Sequence, residues 1–168
     1  MKLGILSDTH GYMDDRILHH LESCDEIWHA GDVGEGQILE PLRTVAPVKA
    51  VYGNIDHGAV FYDLPERIVE TRAGLCIGMI HIGGRPGRYA KGVPGMLSTL
   101  QPDIFICGHS HILRVERDPK KHLLYLNPGA AGHHGFHKKR TLVHIWLKEG
   151  TIEHMNVVEL GKRGKKKA

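Results

Sequence analysis

The chain has 168 residues, enough for one domain with its own core and too few for several. A hydrophobic fraction of 41% and a charged fraction of 24% exclude a disordered or low-complexity chain, and no apolar stretch reaches the ~18 residues that span a bilayer. The net charge of +3 rests on the five basic residues of Lys162-Arg163-Gly164-Lys165-Lys166-Lys167, without which the chain is net negative, so no basic groove for a long nucleic-acid footprint is evident.

In chain order, Lys2–Ser7 reads as a strand. Residues 14–23 read as a helix, because Asp14 or Asp15 can cap it and Met13, Ile17, Leu18 and Leu21 share one face. A strand at Glu26–Ala30 follows, then a helix around 36–45 in which Pro41 fits only in the first turn, then a strand at Val48–Tyr52. This β-α-β-α-β order implies parallel strands joined by right-handed crossovers. Arg67–Thr71 and Leu75–His81 read as a hairpin across Arg72-Ala73-Gly74. Residues 84–95, rich in Gly and Pro, read as a loop, with a short helix near Met96–Leu100 and a buried strand at Ile104–Cys107. Further strands are expected at Leu113–Arg117, Leu123–Leu126, Leu142–Leu147 and Thr151–Val158. The domain is therefore expected over 1–158, with a basic, flexible tail over 159–168.

Five of these apolar runs stop at short polar signatures: Asp8-Thr9-His10, Gly31-Asp32, Gly53-Asn54, His81 and Gly108-His109-Ser110-His111. Each signature alone reads as a turn or a satisfied histidine. Together they place seven oxygen and nitrogen donors at the C-terminal ends of strands, where ligands of open α/β sheets bind. Four histidines, two aspartates and one amide carbonyl suit Mn, Fe, Zn, Co or Ni better than Mg or Ca. Seven donors exceed one tetrahedral ion and suit two ions sharing a bridging carboxylate, roughly 3.5–4 Å apart. Two divalent ions against Asp8 and Asp32 leave a positive first shell, which favours an anionic ester whose charge rises in the transition state.

The other reactive residues carry less. Cys24, Cys76 and Cys107 are odd in number and lack a C-x-x-C spacing, so they read as small buried hydrophobes in a reducing compartment. The N-terminus is too short for a signal segment, and a cytoplasmic protein is expected. Of the fourteen histidines, His19, His20, His122, His144 and His154 fit no shared constellation. The run Gly132-His133-His134-Gly135-Phe136-His137-Lys138-Lys139-Arg140 can line the substrate side of the site or form a solvated turn, and reads as the turn because no ligand spacing ties it to the seven donors.

With Asn127-Pro128-Gly129, the seven-donor set resembles the signature of the calcineurin-like metallophosphoesterases, in particular their small single-domain bacterial and archaeal phosphodiesterases. The resemblance covers the chain to about residue 158. It implies a four-layer α-β-β-α sandwich of two mixed sheets with outer helices. It also implies one ion held by Asp8, His10, Asp32 and His111 and a second held by Asp32, Asn54, His81 and His109, with Mn the leading choice of metal. In that family a metal-bridging hydroxide attacks the phosphorus of a phosphodiester, so Asp32, Asn54 and His109 take catalytic positions, and Asn54 also touches the phosphate. Two departures stand out. Larger relatives carry a general-acid histidine after Gly-Asn; here Ile55 stands there, followed by Asp56 and His57 as substitute acids, and without a dedicated acid good leaving groups should react best. Gly83 stands where small relatives have a second histidine, and Arg85 and Arg88 follow as candidate phosphate clamps.

The expected partner is a small phosphoester, with no membrane and no favoured nucleic acid, and a sheet edge can support a homo-oligomer. A phosphomonoesterase or a nuclease would use the same centre. The rival from another class is a protein-binding scaffold, since a eukaryotic retromer subunit resembles this fold.

Overall fold

Period-two alternation in the apolar runs assigns each strand face to a different core. In the computed structural model, which describes residues 1–164, β1 (Lys2–Leu6) sends Leu3 and Ile5 to one side, while Leu6 joins the core on the other. After β1 come α1 (Asp15–Leu21), β2 (Glu26–His29), a 3₁₀ turn (Gly36–Ile38) with α2 (Leu39–Val45), β3 (Val48–Ala50) and α3 (Gly58–Asp63). The second half runs β4 (Arg67–Arg72), β5 (Leu75–Ile80), β6 (Gly84–Arg85), β7 (Arg88–Tyr89), α4 (Val93–Leu100), β8 (Ile104–Ile106), β9 (Leu113–Asp118), β10 (Leu123–Pro128), β11 (Lys139–Lys148) and β12 (Thr151–Lys162).

Two five-stranded mixed sheets result, ordered β12-β11-β1-β2-β3 and β4-β5-β8-β10-β9. In the first, β1, β2 and β3 are parallel and β11 and β12 antiparallel; in the second, β5, β8 and β10 are parallel and the edge strands antiparallel. Leu3, Ile5, Trp28 and Val143 of the first sheet pack with Ile77, Ile104, Ile106 and Leu126 of the second. The opposite face of the first sheet packs on Ile17, Leu21, Leu39 and Leu42 of α1 and α2. The opposite face of the second, Phe105, Leu123 and Tyr125, packs on Val93 and Leu97 of α4. These are the four layers of an α-β-β-α sandwich. Both faces of the central strands are buried, which is why they read as continuous apolar runs.

Several expected boundaries move. The helix expected over 14–23 is α1, capped by Asp14, whose Oδ1 accepts the Ile17 N–H at 3.1 Å. The helix expected over 36–45 begins as the 3₁₀ turn, and Pro41 lies in the first turn of α2. Residues 84–95 hold the β6–β7 hairpin and the start of α4, so the expected loop is shorter. β12 continues through Lys162, four residues into the expected tail, because Glu159, Gly161 and Lys162 pair with Thr141, Arg140 and Lys139. Residues 165–168 of that tail lie outside the described residues. Helix α3 was not expected; Val60 is its buried residue, too little for a periodic signal.

Candidate metal centre

The loops after β1, β2, β3, β5 and β8 leave the C-terminal ends of parallel strands in both sheets. Because the sheets face each other, these ends meet at one edge of the sandwich. The seven donors named from the sequence stand there in two touching groups. Asp8, His10, Asp32 and His111 each offer a ligand atom, all within 4.8 Å of one another. His10 Nε2 lies 3.3 Å from His111 Nε2, and His111 Nε2 lies 3.2 Å from Asp8 Oδ1. In the other group, Asn54 Oδ1 lies 3.1 Å from His81 Nε2 and 2.8 Å from His109 Nδ1. Asp32 joins the two: its Oδ2 is 3.6 Å from His10 Nε2 and its Oδ1 is 3.1 Å from His81 Nε2.

Local backbone geometry forces this convergence. Asp8, His10, Asp32, His109 and His111 all have left-handed φ, between 49° and 68°. L side chains avoid this region at a cost of about 1–3 kcal/mol each, and it is tolerated where the surroundings over-determine it. Gly53 and Gly108 supply space beside the donors, and Gly31, at φ 90°, supplies a left-handed backbone as well. A Cβ on Gly53 would lie 2.2 Å from Asp32 Oδ1, and one on Gly108 would lie 2.0 Å from Ser7 Oγ and 2.9 Å from Asp8 Oδ2. The paired Gly-Asp, Gly-Asn and Gly-His signatures are therefore packing requirements of the edge.

A second set of bonds fixes the orientation of the donors. His81 Nδ1 donates to the Ala30 carbonyl at 2.7 Å, which leaves Nε2 to face Asp32. The His109 N–H donates to Asp8 Oδ1 and Oδ2 at 3.2 and 3.1 Å. Asn127 Nδ2 donates to the Gly108 carbonyl at 2.7 Å and to Ser110 Oγ at 3.1 Å, holding the Gly-His-Ser-His loop from β10. His29, fully buried under the loops, has Nε2 2.9 Å from Thr9 Oγ1, and burial pushes its pKa down to about 4.

Electrostatics match a cation site. Burial works against charge on His81, but its hydrogen bond to Asp32 and the charges of Asp8 and Asp32 outweigh this and raise its pKa. The hydrogen bond to Asp8 raises that of His111 against the cost of burial. Asp32 pays for burial, yet His81 and the Ile55 N–H hold its carboxyl below the usual range. Imidazoles and carboxylates crowded at these distances, with their other atoms tied to the backbone, fit divalent transition-metal ions.

The remaining candidates separate. Asp56 is buried, and its carboxylate accepts the N–H groups of Val33, Gly34 and Gly53 at 3.1, 2.7 and 2.7 Å. It ties the second and third signature loops together, and this geometry corrects its reading as an acid. His57 is exposed, with Nδ1 3.1 Å from the Ile55 carbonyl, and it lines a cleft beside the donors together with His10 and Glu35. Arg85 and Arg88 stand exposed on the β6–β7 hairpin and line neither cleft next to the donors.

The solvated turn expected at 133–137 is corrected too. The His134 ring lies 4.6 Å from that of His10, and the His137 ring 5.4 Å from that of His111. A Cβ on Gly135 (φ 115°) would lie 2.1 Å from His111 Nδ1. Sequence spacing gave no sign of this approach. The available signal was the Asn-Pro-Gly motif, which turns the chain out of β10 and back to the edge, where the Ala131 and Gly132 N–H groups donate to the Ser7 and Asp8 carbonyls at 2.9 and 3.2 Å.

A two-sheet sandwich with imidazole and carboxylate donors on the edge where its parallel strands end defines a class, the metallophosphoesterases. The model of the calcineurin-like phosphoesterase superfamily domain matches residues 1–150, and the chain belongs to that superfamily of divalent-metal phosphoester hydrolases. It is 31% identical over 138 residues to a probable metallophosphoesterase of Methanocaldococcus jannaschii, covering 77% of this chain and 68% of that protein. Among solved structures, an archaeal phosphodiesterase is similar at a TM-score of 0.75 and 20% identity, over 94% of this chain and 100% of that one. Vps29 of Entamoeba histolytica, complexed with zinc, is similar at 0.73 and 19% identity, over 96% and 100%. Among the described residues no helix is long and apolar enough to cross a membrane.

Proposed function

We propose that the protein is a dinuclear metal-dependent phosphodiesterase. The observation that carries this reading is the position of Asp32, with one carboxylate oxygen beside His10 and the other beside His81. Asp8, His10, Asp32 and His111 would hold one ion, and Asp32, Asn54, His81 and His109 the other, with Mn the first choice and Ni, Co, Fe or Zn as substitutes. Two such ions supply an acidified water and offset the charge of a phosphoester.

The chain itself orients and holds. The Ala30 carbonyl and Asn127 keep His81 and the His109 loop in place, and Asp56 fixes the Asn54 loop through its backbone. Asn54 and His109 are exposed at the edge and would meet the phosphate. Asp56 is committed to three N–H groups and, in this reading, does not protonate a leaving group. Esters with acidic leaving groups are the expected best substrates. The same donors would serve a phosphomonoester or a nucleic-acid strand, and a cytoplasmic setting fits the unpaired cysteines Cys24, Cys76 and Cys107.

A second reading, a protein-binding scaffold, is supported by the likeness to Vps29 structures. Hydrolysis of bis(p-nitrophenyl) phosphate by Mn-loaded protein separates the two. Turnover that falls at least about 10²-fold in Asp32→Asn and His109→Ala, with circular dichroism unchanged, supports the enzyme. Metal binding without turnover on any phosphoester supports the scaffold.

A further inference from the structure

Two clefts adjoin the donors, of about 650 and 480 Å³, and they share His10 and Ile55. His10 and Ile55 mark where the clefts meet, with Asp32, Asn54, His109 and His111 on the smaller cleft's side of that junction. A diester whose phosphate sits at that junction has room for one esterifying group in each cleft.

The two clefts differ in chemistry. The larger carries Glu35, Gln37 and His57 on its walls beside the aliphatic Ile55, Ala59 and Val60, and has no aromatic carbocycle among its described lining residues. The smaller has a floor of metal-centre donors and an apolar wall of Ile55, Ile112 and Phe136. These three are exposed, at 36%, 60% and 103%, where a polar surface residue would cost nothing. Phe136 is not on a loose tip. His137 Nε2 donates to the Gly132 carbonyl at 3.0 Å, Arg163 Nη1 donates to the Gly135 carbonyl at 2.7 Å, and Gly135 seats against His111. Neither cleft has Lys or Arg among its described lining residues, so neither arm is built for a second phosphate.

Building on the phosphodiesterase reading, we propose that the substrate is a small diester with a single phosphate and one aromatic or apolar arm, which Phe136 and Ile112 select. The other arm is uncharged or cationic, since Glu35 repels an anion. The selection comes from stacking on Phe136 and contact with Ile112.

Calorimetry on Mn-loaded protein with dimethyl, methyl phenyl and diphenyl phosphate tests this. The first phenyl group should tighten binding at least about tenfold, and the second by less than about threefold, because only one arm meets Phe136 and Ile112. In Ile112→Ala/Phe136→Ala the advantage of the first phenyl should vanish, and Phe136→Trp should keep it. Equal gains from both phenyls, no gain from the first, or a gain that survives the double substitution would overturn the proposal. So would dimerisation lost in Phe136→Ala without aryl preference, which assigns the face to a second copy of this chain. Aryl-selective binding without turnover of bis(p-nitrophenyl) phosphate removes the catalytic reading alone; turnover with unselective binding removes the proposed arm alone.

Discussion

The core between the sheets and the edge above it are built from the same strands by opposite rules. Between the sheets, Leu3, Ile5, Trp28, Ile77, Ile106 and Leu126 are fully buried and apolar, and successive residues alternate regularly between the strand faces. One to three residues beyond their ends, β1, β2, β5 and β8 deliver Asp8, Asp32, His81 and His109, three of them at left-handed φ and the first three crowded against charged or ionisable partners. The core stabilises the fold, and the edge is strained and polar in order to present donors. A strained edge persists because rigid strands on a dry core hold it.

The comparison breaks first at the core. Ile106→Ala, between the sheets, should cost about 2–5 kcal/mol in urea unfolding, since the neighbours cannot collapse into the space. A cost below 1 kcal/mol would mean that the two sheets are not rigidly packed.

His144 tests the outer face of the first sheet. It is buried beside α1, its Nε2 donates to the His20 carbonyl at 2.8 Å, and burial depresses its pKa to about 4. The folded value lies below the unfolded 6.5, so the unfolded chain takes up a proton that the fold refuses. Stability should therefore fall as pH drops from about 6.5 towards 4, by about 1–2 kcal/mol between pH 7 and pH 5 from this group. His144→Gln should lose that share of the slope; an unchanged slope assigns it to other groups.

The edge should behave in the opposite sense. In metal-free protein His109→Gly, at φ 68°, should stabilise by up to about 1 kcal/mol by releasing strain, although it removes a donor. Thermal melts in chelator check the sign, and a loss of stability would contradict the strained-edge account.

The same contrast explains what the sequence made legible. Buried strands announce themselves as apolar runs, so β1, β2, β5 and β8 fall within a residue or two of expectation, and the donors at their ends were readable because a strand end is a fixed place. Residues placed by loops were not readable. Asp56 resembles a reactive carboxylate in sequence, and only the three N–H groups pointing at it reveal an anchor. His134 and His137 reach His10 and His111 across more than twenty residues of intervening chain, through a return from β10 that no spacing rule encodes. Arg85 and Arg88 look like phosphate clamps in sequence, yet they pair with each other across a hairpin and line neither cleft beside the donors.

The central claim is a shared, two-ion centre, and metal counting tests it most directly. Protein saturated with Mn, freed of excess by gel filtration and analysed by mass spectrometry should hold two ions per chain. His81→Ala should hold one, with Asp8, His10, Asp32 and His111 intact, and Asp32→Asn should weaken both. Wild-type protein that saturates at one ion per chain, or His81→Ala that still holds two, would contradict the account.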